Sequence, residues 1–182
     1  MEKFSVLMSV YYKEIPEYFD LSLKSNLIDQ TLSPNELVLV CDGELTPELE
    51  VVIEKYQKLF PSILKVYRKV NEGLGKALNF GLPKCTYNLV ARSDSDDVCD
   101  KTRFEKQVSY MEKHPDIGII SSYIDEFIDD WSRPLQTKTL PLKHDDLYKM
   151  AQFRNPLNHM SVMMRRDDIL RIGSYHHIPY VE

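Results

Sequence analysis

A chain of 182 residues, 43% hydrophobic and 28% charged, is long enough to bury one sizeable core and too short for two comfortable ones. Its formal net charge of -5 disfavours a polyanion as partner, so no nucleic acid is expected to bind. No apolar stretch reaches the roughly 18 residues of a membrane span, and three cysteines without Cys-x-x-Cys spacing read as reduced thiols of a cytoplasmic protein.

In chain order, strand-like and helix-like segments alternate through the first half. Residues 4–10 (Phe-Ser-Val-Leu-Met-Ser-Val) read as a first strand rather than a secretion signal, since no small-residue cleavage site follows. A mixed helical stretch runs over about 17–31, and 36–40 is a second apolar strand ending at Cys41-Asp42-Gly43. Thr46-Pro47 supplies a cap followed by proline at the first helical position. Leu49, Val52, Ile53, Tyr56, Leu59 and Phe60 then recur at helical spacing until Pro61. Residues 63–68 form a third strand, Asn71-Glu72-Gly73-Leu74-Gly75 a tight loop, and 76–82 a short helix closed by Pro83. A fourth strand carries the chain into Asp94-Ser95-Asp96-Asp97. Such repeated β-α-β units imply an α/β fold with a mostly parallel sheet flanked by helices. Beyond residue 97 the pattern is less regular. A helix face (Phe104, Val108, Met111), a strand over 117–123, a partly polar excursion over 127–140, a helix over 145–153, a strand over 161–164 and a helix over 167–172 follow. The reading is one domain over 1–182, with a nucleotide-sized first half (1–97) and a more irregular second half (98–182).

The acid cluster carries the chemistry. Asp94, Asp96 and Asp97 follow an apolar strand at once, and open α/β sheets bind ligands at the carboxyl ends of their strands. Carboxylates this close repel each other, and a hard cation such as Mn2+ or Mg2+ relieves that while leaving sites for phosphate oxygens. The bland alternative is a solvated turn, with Asp97 or, preferably, Asp100 capping the next helix. A calcium loop starting at Asp94 is excluded, because Val98 and Cys99 occupy its third ligand and glycine positions. A haloacid-dehalogenase-like phosphotransferase, with Asp94 as nucleophile, would place this motif on its first strand, whereas three strands precede it here.

Other constellations are weaker. Asp42 is either a turn former beside Gly43 or an acceptor for the N3 proton of a uracil ring. The loop with Asn71 and Gly73 allows close backbone approach to an anion at a helix amino end. Lys76 and Arg92 are candidate cations for a diphosphate, with a solvated side chain as the alternative. His159 is a structural hydrogen-bonder or a metal or phosphate ligand. His144, His176 and His177 show no partner spacing.

Together, residues 5–11, 37–43, 71–79, 91–97, 103–107 and 159–166 resemble glycosyltransferase family 2, over essentially the whole chain. The resemblance implies the GT-A fold, a UDP-sugar donor, a glycan, lipid-linked or protein-linked acceptor, and metal-dependent transfer that inverts the anomeric carbon. Peripheral membrane association and oligomeric state stay open. Ser9 and Tyr11 would frame base and ribose, Asp42 would bind uracil, and Asp94 would lie near the ribose. Asp96 would hold the metal, with Asp97 sharing that work. Cys41 departs from the pattern, standing where many members carry an aspartate. The segment ending Tyr180-Val181-Glu182 matches the family up to the first residue of the Glu-Asp pair that supplies the general base. The expectation is a chain that binds donor nucleotide yet transfers sugar poorly, or a non-catalytic sugar-nucleotide-binding module.

Overall fold

Nearly every side chain of Phe4–Val10 (β1) is buried, which is how a strand covered on both faces reads in sequence. The computed structural model describes residues 1–128 and 130–175. On one side β1 pairs in parallel with Glu36–Asp42 (β2), in register from Ser5↔Glu36 to Val10↔Cys41. β2 pairs in parallel with Leu64–Lys69 (β3). On its other side β1 pairs in parallel with Leu89–Ser93 (β4), from Phe4↔Leu89 to Met8↔Ser93. Helices Pro16–Leu27 (α1), Pro47–Leu59 (α2) and Leu74–Gly81 (α3) make the crossovers. Thr46 caps α2 by accepting the Leu49 N–H at 3.4 Å, with Pro47 in the first turn, as the sequence predicts.

The remaining elements are Arg103–Lys113 (α4), Ile119–Ile120 (β5), Ile124–Glu126 (β6), Gln136–Lys138 (β7), His144–Ala151 (α5), Met163–Arg165 (β8) and Arg166–Arg171 (α6). β8 joins β4 antiparallel and β5 joins β8, giving the order β3-β2-β1-β4-β8-β5; β6 and β7 form a separate hairpin. Among the described residues, no helix is long and apolar enough to cross a membrane.

Alternation along the strands splits the core into two layers. Val6, Met8, Leu37, Leu39 and Ala91 pack against Phe19 and Leu23 of α1, Leu49 and Ile53 of α2, and Phe104 and Val108 of α4. Leu7, Val38, Val40 and Val90 pack against Ala77 and Leu78 of α3, with Ile169 of α6 beside them. Cys41, Cys85 and Cys99 are buried free thiols. Burial pushes Cys41 up to about 11 and Cys85 up to about 12, so both stay protonated and unreactive.

Boundaries differ from expectation where short polar side chains bond locally. The helix expected over 17–31 stops at Leu27, where the N–H groups of Ile28 and Asp29 both close on the Lys24 carbonyl. Ser161 lies in a 3-10 turn, His159–Ser161, rather than in the strand, because its hydroxyl binds the Ser122 and Asn158 carbonyls. Asp100 does not cap α4. Thr102 holds the cap position, and Asp100 accepts its N–H (3.0 Å) and hydroxyl (2.6 Å) in a turn just ahead of the helix. The strand expected over 117–123 shrinks to Ile119–Ile120.

Gly81 ends α3 against the sheet, where a Cβ would come within 2.6 Å of Leu7 Cδ1 and 2.7 Å of Val40 Cγ2. Gly81→Ala is therefore expected to cost about 1–3 kcal/mol through overpacking, read as a lower urea midpoint. An unchanged midpoint would show that α3 does not press on the sheet there.

Candidate active site

β4 delivers its side chains alternately to the two layers. Arg92 pairs with Leu7 in the α3 layer, whereas Ser93 pairs with Met8 and faces α1. At Asp94 the chain leaves the strand and is pinned from behind by α1. Ser22 donates its hydroxyl to the Asp94 carbonyl (2.7 Å), Ser93 donates to Asn26 Oδ1 (2.8 Å), and Ser25 Oγ accepts the Cys99 N–H (2.9 Å). Gln30 holds the Asp100 carbonyl at 2.9 Å, and Ser95 donates to Glu14. Ser22, Ser25 and Asn26 stand at i, i+3 and i+4, one buried polar stripe on α1. That spacing was visible in the sequence and was not singled out.

The pinned loop brings one carboxylate oxygen each from Asp94, Asp96 and Asp97 within 4.8 Å of one another. Asp97 is pushed up to about 6, chiefly by burial and then by Asp94 and Asp96, with Arg92 and Arg103 opposing. Arg92 is 1% exposed and ion-pairs with Asp94, yet its Nε has no hydrogen-bond partner. Arg103, which unlike Arg92 was not among the expected site residues, holds the loop's base. Its guanidinium donates to the Arg92 carbonyl (2.7 Å), the Val162 carbonyl (3.1 Å) and Ser93 Oγ (3.2 Å).

His159 does not join the carboxylates within that distance. Its Nε2 lies 3.1 Å from the Tyr175 hydroxyl, and burial, reinforced by Arg92, lowers its pKa to about 4, so the ring is neutral at pH 7.

The second cluster forms at the end of β2. Asp42 is 4% exposed, and its carboxylate accepts Lys69 Nζ (2.8 Å), the Glu72 N–H (3.1 Å) and the Gly73 N–H (2.8 Å). Asn71 returns its amide to the Asp42 carbonyl at 2.8 Å. Gly73 sits at φ 94 as the N-cap of α3. The anion that this loop's N–H groups hold is thus Asp42 itself. Lys76 turns to Glu72 at 3.0 Å; the cation beside Asp42 is Lys69, which the sequence reading passed over.

Ser9, opposite Val40, shares a sheet face with Arg92 and with Asp42. Tyr11, one residue past β1, is 44% exposed, with the Tyr12 ring 5.8 Å away. Since β1, β2 and β4 run parallel, Ser9, Tyr11, Asp42 and Asp94 all gather at one sheet edge. Glu182 lies outside the described residues.

A mostly parallel sheet carrying an acid loop on the strand beside its first strand has the architecture of a GT-A domain. The sequence matches the sequence model of Glycosyl transferase family 2 over residues 5–173, and the chain belongs to that family. It is 45% identical over 179 residues to the amylovoran biosynthesis glycosyltransferase AmsE of Erwinia amylovora, covering 98% of this chain and 66% of AmsE. It is 37% identical over 173 residues to the Escherichia coli UDP-Gal:alpha-D-GlcNAc-diphosphoundecaprenol beta-1,3-galactosyltransferase, covering 95% of this chain and 62% of that enzyme. The chain thus spans about two thirds of these curated relatives. The fold is shared with the mannosyltransferase PcManGT of Pyrobaculum calidifontis, solved with GDP-Man and Mn2+ (TM-score 0.67, 17% identity, 95% of this chain and 47% of that one). It is likewise shared with residues 1–349 of S. aureus TarS bound to UDP (TM-score 0.67, 22% identity, 96% and 50%).

Replacing Asp42 would leave Lys69 and two loop N–H groups without their acceptor. Asp42→Ala is expected to destabilise the fold by about 3 kcal/mol, measured by chemical denaturation. A loss below about 0.5 kcal/mol, the scale of an ordinary surface substitution, would refute this role.

Proposed function

We propose that this chain is the donor-binding part of a metal-dependent glycosyltransferase that moves a hexose-type sugar from a UDP-sugar to a glycan, lipid-linked or protein-linked acceptor, with inversion. The observation that carries the reading is the convergence of Asp94, Asp96 and Asp97 within 4.8 Å at the carboxyl edge of a parallel sheet. A relative whose name specifies a UDP-sugar donor and a diphosphoundecaprenol acceptor supports the donor class.

The donor set suits Mn2+ or Mg2+: three hard carboxylate oxygens and no soft ligand. Asp96, the exposed member, would be the principal ligand, with Asp94 and Asp97 sharing it. Bound there, the ion would offset charge developing on the departing nucleoside diphosphate.

The chain's own residues do the rest. Ser9 and Tyr11 would frame base and ribose. Asp42, fixed by Lys69 and the 71–73 loop, would present its remaining lone-pair capacity to the uracil N3 proton. Asn71 and Gly73 would shape the wall of the base pocket. Arg92 would hold the Asp94 carboxylate in place through their ion pair. Lys76, paired with Glu72, would act on the diphosphate only after exchanging that partner. The carboxylate that takes the acceptor proton is assigned by the family resemblance to the region of Glu182. We place the protein in the cytoplasm.

The phosphotransferase alternative would need Asp94 free as a nucleophile, whereas Asp94 is held in an ion pair with the buried Arg92.

Calorimetry of UDP, UDP-glucose, UDP-galactose and GDP, with and without Mn2+, on wild type and Asp96→Ala, tests the assignment. UDP is expected to bind in the micromolar range, about 8 kcal/mol, and to weaken markedly without metal or without Asp96. Equal affinity under all these conditions would remove the metal role.

A further inference from the structure

Between the β6–β7 hairpin and the segment leading into the turn His159–Ser161 lies a cavity of about 330 Å3 that none of the roles above uses. Its size falls within the range of small-ligand sites, about 300–1,000 Å3. Lys138 and Arg154 line it together with Asn155, Asn158 and His159, and among the described residues no carboxylate does, in a chain of net charge -5. Lys138 reaches only Glu126, at 3.9 Å, and Arg154 makes no side-chain hydrogen bond or ion pair among the described residues.

The polar walls are already oriented. Asn155 accepts the Leu157 N–H on Oδ1 at 3.0 Å, which leaves its amide NH2 as the group available to a ligand. Asn158, 6% exposed, is fixed through its amide to the Ser122 carbonyl at 2.9 Å.

We propose that this cavity seats a phosphate group of the acceptor, with Lys138 and Arg154 as its cations and Asn155 as a neutral donor. A phosphomonoester carries a charge of about −1.5 to −2 at neutral pH and three strong acceptor oxygens. Two full cations facing one small cavity match that charge. The arginine fork can engage two oxygens at once, and the lysine acts as a point charge. Calling the ligand an acceptor rests on the transferase reading; that the cavity binds phosphate does not.

The test uses calorimetry with N-acetylglucosamine 1-phosphate and with uncharged N-acetylglucosamine, on wild type, Lys138→Gln, Arg154→Gln and the double variant. The phosphorylated sugar is expected to bind at least tenfold more tightly than the neutral one, and the double variant to lose at least tenfold. UDP affinity in the presence of Mn2+ should stay unchanged in every variant, because both residues lie outside the donor machinery. Co-flotation with phosphatidylcholine vesicles, with and without a polyprenyl phosphate, separates the sources. Capture only by doped vesicles assigns a lipid-linked phosphate; capture by neither, with the soluble sugar phosphate bound, assigns a soluble one. Equal binding of charged and neutral sugar, equal binding by wild type and double variant, or equal capture by phosphatidylglycerol vesicles would each overturn the proposal. A wild type that binds the sugar phosphate through these residues but does not bind UDP would sink the transferase reading and leave the phosphate seat standing.

Discussion

Three carboxylates within 4.8 Å of one another repel, and the rest of the site depends on how the fold withstands that repulsion. At that separation, with an effective dielectric near 20, each pair costs about 3 kcal/mol when both members are ionised. One hydrogen bond contributes about 1 kcal/mol net, so no single tether could hold the loop. The fold uses several. Ser22, Ser25 and Asn26 grip the peptide from α1, Gln30 grips its far end, and Arg103 ties its base to the Val162 carbonyl, just ahead of β8. Arg92 offsets part of the charge from below, and Asp97, raised to about 6, carries some of the remainder by binding a proton more readily. A divalent ion would relieve what is left, which is why a loop built this way is suited to receive one.

Sheet order explains why that loop faces the other site residues. From β1 the chain moves outward to β2 and β3, then returns to place β4 on β1's opposite side. The gap between outward and return paths is the position where open α/β sheets hold ligands. Ser9 and Tyr11 lie at the end of β1, on that gap. Asp42 borders it from β2 and Asp94 from β4. The two layers divide the work: α1, α2 and α4 pack one face, with α1 and α4 holding the acid loop, whereas the α3 face carries Arg92, Ser9 and Asp42.

The first half was legible in the sequence because its strands are buried on both faces and so read as unbroken apolar runs bounded by polar residues. The acid cluster stood out for the same reason: Ser93 and Asp94 end such a run abruptly. What was hidden depended on pairing across distance. Lys69 lies 27 residues from the aspartate it neutralises, and in sequence it is one more lysine at a strand end. The stripe Ser22-Ser25-Asn26 finds its partners in Ser93, Asp94 and Cys99, 67 to 74 residues further along the chain. β8 escaped accurate placement because three antiparallel residues leave almost no periodicity to read, and Ser161 diverts to local hydrogen bonds.

Burial is distributed unevenly between the halves, and that asymmetry bears on specificity. α1 to α4 each sink several side chains into the core, whereas α5 and α6 bury none and every residue of β7 is exposed. Segments with few buried apolar contacts open at low free-energy cost, and binding loops are drawn from that end of the stability range. The proposed donor residues therefore sit on elements whose replacement would damage the fold, as the engagement of Asp42 with Lys69 and the α3 loop shows. Lys138 and Arg154 sit where a substitution touches little else. A domain arranged this way can hold one donor chemistry fixed while its acceptor side varies, because the two are stabilised by different parts of the chain.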